Sequence, residues 1–168
     1  MDVDACRELL AIEEIKKLKA RYFRFYDAKD WDGYVSVLSE DLEFTFVEAE
    51  LEHYPPEYAA FVTPEGDLCL DRDRLMAWLV PASAHFQTLH HGHMPEITIT
   101  GPDDAVAIWR VTDLIRFPGE PPVWLRGYGR YDEEYVRTPD GWRLRRSRYE
   151  RHDIDPVEIS TLDHHTED

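Results

Sequence analysis

Cysteine is scarce in this chain, with only Cys6 and Cys69. Two such residues build no disulfide framework and fit no zinc spacing, so a reducing compartment, the cytoplasm, is expected. Basic charge is also short: 19 Lys and Arg stand against 35 Asp and Glu, for a net charge of −16. That balance argues against nucleic acid, whose phosphates need clustered cations, and against an anionic membrane surface. One basic run, Arg143 to Arg148, lies in a strand pattern beside many acids and reads as a solvated sheet face. No apolar run approaches the ~18 residues of a membrane span. The opening residues hold neither a basic nor an apolar segment, so no secretory signal is expected. Internal repeats and low-complexity tracts are absent as well.

What is present is a globular composition, 43% hydrophobic and 12% aromatic over 168 residues. A chain of this length can bury about 70% of its unfolded surface and needs no disulfide or metal to fold. One domain over 1–168 is expected, with its core at about 8–155 and a tail at 156–168 that carries His164 and His165. Ile12, Ile15, Leu18 and Tyr22 recur at helical spacing and predict a helix over 7–27, with Lys16, Lys17 and Lys19 among its polar residues. A short helix from about Trp31 to Leu38 and a strand over 42–47 follow. Residues 48–70 hold Pro55-Pro56 and several aromatics and read as a loop or loose hairpin, a possible lid. Asp71 is placed to cap a helix ending near Pro81. Strands are expected at about 88–100, 105–117, 123–137 and 142–152, separated by Pro/Gly/Asp turns. Helices first and a strand meander after predict an α+β fold, with helices on one face of a curved, mostly antiparallel sheet.

Some polar residues fall where the pattern calls for apolar ones. Alternation puts Asp113 on one strand face with Ala105, Ala107, Trp109 and Val111. A buried carboxylate there needs a partner or a wet pocket, unless it simply bonds a loop amide at the strand end. Tyr22 and Tyr26 lie one helical turn apart, and either could be plain core. Asp27 closes the helix where the macrodipole disfavours it. Of the histidines in Thr88-Leu-His-His-Gly-His-Met-Pro-Glu96, His91 and His93 point to one side and His90 to the other. No second ligand cluster accompanies them, so no metal is expected.

The segment Ala11 to Asp27, with Asp30-Trp-Asp, His90-His-Gly-His-Met-Pro-Glu-Ile97 and Asp140-Gly-Trp-Arg-Leu144, resembles the SnoaL-like family of the nuclear-transport-factor-2-like superfamily. The likeness covers about 8–155 and implies a cone with a polar pocket. Within the family the chain is most similar to dehydratases of the bile-acid and scytalone type. Their catalytic residues would fall on Tyr22, Asp27, His90, Asp113 and Arg151, with Tyr26 a second candidate for the tyrosine. Arg151 faces the pocket only if its strand face lines the cone or a bulge intervenes. The resemblance implies a cofactor-free lyase acting on a bulky, hydrophobic carbonyl compound, with Tyr26, Tyr54, Tyr58, Phe61, Trp78 and Trp109 around the substrate. Isomerase, cyclase and dehydrohalogenase chemistry, or ligand binding alone, would use the same parts. A homodimer or homotrimer is expected.

Overall fold

The computed structural model describes residues 3–50 and 53–157. Helix α1 (Val3–Ala28) leads into helix α2 (Trp31–Ser36) and strand β1 (Leu38–Phe46). A 3₁₀ turn (Pro56–Phe61), strand β2 (Leu68–Asp71) and helix α3 (Arg72–Ala82) follow. Strands β3 (Gln87–Gly92), β4 (Glu96–Ile99), β5 (Asp104–Phe117), β6 (Val123–Thr138) and β7 (Gly141–Pro156) complete the order. They form one seven-stranded sheet in the order β2-β1-β7-β6-β5-β3, with β4 also paired to β5. Every pairing is antiparallel except β1 with β7. Helix α1 packs on β3, β4 and β7, and α3 on β1 and β2. The expected α+β architecture, helices on one face of a curved sheet, is the architecture observed.

The core follows from the apolar stripe of α1. Ala11, Ile15, Leu18 and Tyr22 face the sheet and meet Tyr34, Tyr135 and Leu144. Each such large apolar side chain contributes about 1.5–3 kcal/mol through burial. Helix α1 starts at Val3, four residues before the predicted position, and Ala11 takes the central place assigned to Ile12.

The predicted strand over 88–100 is two strands, β3 and β4, both paired to β5 on its outer edge. Pro95 falls in the break, where a residue with no N–H cannot hold a ladder. Residues 68–70, the end of the segment read as a loop or loose hairpin, form with Asp71 a strand that pairs with β1 and buries Leu68 and Leu70. Strand β1 starts at Leu38, inside the predicted second helix, which stops at Ser36. Asp71 caps α3 as expected, accepting from the Arg74 N–H at 2.8 Å. The basic run is an ion-paired surface: Arg145 meets Asp104 and Glu134, Arg146 meets Glu43 and Glu134, and Arg148 meets Asp67. His164 and His165 lie outside the described residues. Among the described residues no helix is long and apolar enough to cross a membrane.

Candidate active site

Helix α1 ends in a Schellman-type turn. The Asp30 N–H donates to the Phe25 carbonyl at 2.9 Å and the Lys29 N–H to the Tyr26 carbonyl at 3.0 Å, with Lys29 at φ 58°. This leaves Asp27 in the last helical turn, where the dipole opposes its charge. Strand β3 supplies the compensation. The His90 backbone N–H donates to Asp27 Oδ2 at 2.9 Å, and the Thr88 hydroxyl donates to Oδ1 at 2.9 Å. His90 Nδ1 lies 2.6 Å from Oδ1. Facing a carboxylate, Nδ1 carries the proton, and Nε2 is left as the basic nitrogen. Burial pushes the Asp27 carboxyl up, but the His90 ring, its charge, its backbone N–H and Thr88 outweigh that and hold it below its ordinary value. Phe23 stacks on the imidazole at 5.6 Å, and Tyr26 meets it edge-on at 5.0 Å. The ring is thereby fixed in tautomer and in orientation.

Asp113 is the register partner of His90 across β3 and β5, and Gly127 is the partner of Asp113 across β5 and β6. Directly opposed residues on one sheet face lie about 4.5–5.5 Å apart at Cβ, so Asp113 is the next group along the wall. The Arg151 guanidinium donates to both Asp113 oxygens, at 3.0 and 3.2 Å. It occupies the space above Gly127: a Cβ there would overlap the guanidinium and sit 2.5 Å from Asp113 Oδ1. The Asp113 side chain is 3% exposed and that of Arg151 33%, so the arginine carries the pair from the buried wall to the mouth.

A bulge brings Arg151 to this face. Glu134 pairs with Arg146 and Tyr135 with Leu144, which leaves Arg145 as an extra residue in β7. Strict alternation would set Trp142 and Leu144 against Ser147, Tyr149 and Arg151. With the extra residue, both groups face the interior.

These groups line a cavity of about 180 Å³. Tyr22, Tyr26, Trp78, His90, Asp113 and Arg151 all contribute to it. Tyr34, Tyr131 and Tyr149 join them, none of them singled out by the sequence. Burial first, then the neighbouring Tyr34, pushes the Tyr22 hydroxyl well above the usual phenol value. The Tyr26 hydroxyl meets Ser83 at 2.9 Å; burial raises it to about 12, and the Ser83 bond partly offsets this. Both tyrosines therefore remain protonated hydrogen-bond donors.

Four predicted substrate contacts lie elsewhere. The Tyr58 hydroxyl donates to the Arg74 carbonyl, and Phe61 packs against Tyr58. Tyr54 stacks on Trp78 behind the cavity wall. The Trp109 indole donates to the Tyr135 hydroxyl at 3.1 Å, deeper in the core. Each is anchored by a neighbour and none lines the cavity. The volume also lies below the about 300–1,000 Å³ typical of pockets for drug-sized ligands.

Lys19, expected among the polar residues of α1, is 1% exposed. It donates to Glu133 at 2.6 Å, and its ammonium lies 4.2 Å from the Tyr22 ring centre and 3.8 Å from that of Tyr131. Glu133 also accepts from Tyr135 and Ser147. This pair forms the ground under two cavity tyrosines. Its signal in the sequence was the inward parity of Tyr131, Glu133 and Tyr135. The signal for Gly127 was a glycine inside a long strand. His93, by contrast, bonds Thr112 on the outer face. Among the described residues no set of three or more His, Cys, Asp or Glu gathers as a metal site.

A curved sheet with an inward His–Asp pair defines a class of small pocket-bearing α+β proteins. The chain belongs to the SnoaL-like family, whose SnoaL-like domain matches residues 7–148. A protein of Gibberella zeae named as a cyclase, FGR4, is 28% identical over 141 residues, 82% of this chain and 88% of its own. The Kfla4162 protein of Kribbella flavida superposes with a TM-score of 0.70 at 24% identity, covering 87% of this chain and 93% of its own. A protein of Novosphingobium aromaticivorans named as a scytalone dehydratase superposes with a TM-score of 0.68 at 18% identity, covering 90% and 91%.

Proposed function

We propose that this protein is a cofactor-independent lyase that removes water from a hydrophobic β-hydroxy carbonyl compound. The observation that carries the reading is the 2.6 Å contact of Asp27 with Nδ1 of His90, whose ring lines a largely apolar cavity beside the Asp113–Arg151 pair. Family membership and the dehydratase and cyclase names among its relatives support it.

In this mechanism His90 Nε2 takes the proton α to the carbonyl, and Asp27 stabilises the imidazolium that forms. The electron pair moves onto the carbonyl oxygen, which accepts a hydrogen bond from Tyr22 or Tyr26. The enolate then collapses to a carbon–carbon double bond as the β C–O bond breaks. Arg151, held by Asp113, donates to the departing oxygen. That oxygen takes the proton back from His90 and leaves as water, which resets the base. The low-dielectric surroundings strengthen each of these interactions.

His90→Ala tests the reading. Turnover of a β-hydroxy ketone is expected to fall by about 10²–10⁴-fold while the protein still folds cooperatively. An undiminished rate would remove the dyad from the mechanism. A cyclase is the second reading, favoured by the Gibberella zeae relative. There the same enolate would attack a second carbonyl, and the product would keep the substrate's mass when no water is lost.

A further inference from the structure

Size is the property of this cavity that the lyase chemistry leaves open. We infer that the site takes a compound built on a single six-membered ring, a cyclic β-hydroxy ketone, and excludes fused polycyclic skeletons. The reaction named here rests on the lyase reading, whereas the size limit does not.

The volume is about 180 Å³. An apolar protein cavity of about 150 Å³ holds one benzene. The space left over accommodates a carbonyl and a hydroxyl, and no second fused ring. The walls suit an apolar ring, with Phe23, Phe44, Phe46, Trp78 and Tyr131 presented to it.

Three sets of contacts prevent the cavity from widening. Below, the Tyr22 and Tyr131 rings rest on the Lys19 ammonium, and the Lys19 and Glu133 side chains are 1% and 0% exposed. Sinking either ring would have to displace a buried ion pair whose charges have no water to turn to. On one wall, Trp78 stacks on Tyr54 at 4.6 Å and packs on Phe46 at 5.3 Å, and its indole N–H donates to the His53 carbonyl at 3.4 Å. On the α1 side, the Tyr26–Ser83 bond ties the helix to the end of α3. Interiors packed in this way resist added volume.

The test is a graded series on the full chain: cyclohexanone, 1-tetralone and a steroidal ketone for binding, read by tryptophan fluorescence. The matching hydroxy compounds, beginning with 3-hydroxycyclohexanone, are followed for enone absorbance. The one-ring ketone is expected to bind at least about tenfold more tightly than the two-ring ketone, with the steroid not bound. Trp78→Leu, which removes one wall, is expected to narrow that gap by about tenfold. Equal or tighter binding of the steroid, or no binding of the one-ring ketone, overturns the size limit. If the size cut-off appears but no hydroxy ketone loses water, the size limit stands and the lyase reading falls. If only polycyclic hydroxy ketones lose water, the lyase reading stands and this inference falls.

Discussion

At the residue scale, the site depends on one missing side chain as much as on those present. The Arg151 guanidinium reaches Asp113 across the bare backbone of Gly127. Gly127→Ala is expected to expel the guanidinium, because the atoms displaced are side-chain ends, and to cost some stability by leaving the buried Asp113 carboxylate without its cation. Turnover should drop by about 10²-fold, the penalty of misplacing a catalytic group by roughly an ångström. Steady-state kinetics beside a thermal melt checks it. Lys19 makes the opposite case, a side chain whose removal harms the fold. Lys19→Met leaves the Glu133 carboxylate buried without its cation and is expected to destabilise the protein by about 3–5 kcal/mol. Lys19→Met combined with Glu133→Gln should recover most of that loss in a urea titration. Recovery by the double variant separates an unpaired charge from lost packing.

At the element scale, β7 is where linear reasoning reached its limit. The Asp140-Gly-Trp turn and the strand that follows were readable, and so was the alternation of Ser147, Tyr149 and Arg151. The extra residue at Arg145 was not, because a bulge is defined by two residues opposing one on the partner strand, and the partner is known only from the sheet. Deleting Arg145 removes this bulge and turns one half of β7 to the other face. Loss of cooperative folding, or a folded protein without measurable turnover, is the expected outcome. A deletion variant with wild-type kinetics would contradict this account of the bulge. The same limit explains the four-residue strand β2, where the pairing with β1, rather than local propensity, decides the boundary.

At the scale of the whole molecule, Asp27 joins the His90 site to the fold. Its carboxylate receives three hydrogen bonds from β3 and so fastens the end of α1 to the sheet. Its pKa is depressed in the folded state despite burial, so the unfolded chain binds its proton first as pH falls. The stabilisation is therefore fully present above the unfolded value of about 3.9 and is lost as pH falls through the lower folded value. The stability advantage of the wild type over Asp27→Asn is expected to persist at about pH 5 and to shrink below about pH 3.9. Denaturant titrations at both pH values measure it.

The sequence by itself determined the fold class, because apolar period and turn residues are local properties of the chain. It also marked Asp27 and Asp113, since a carboxylate at a helix C-terminus or on an apolar strand face needs a partner whatever that partner is, whereas His90 stood out through the family resemblance. Only the tertiary structure decided who the partners are. It closed the Asp27–His90 contact across 63 residues and the Asp113–Arg151 pair across 38. It turned Lys19 from the polar side of a helix to the ground beneath the cavity. It also moved Tyr54, Tyr58, Phe61 and Trp109 away from the cavity. Those outcomes depend on register, bulges and the enclosed volume, quantities that exist only once distant strands are laid side by side.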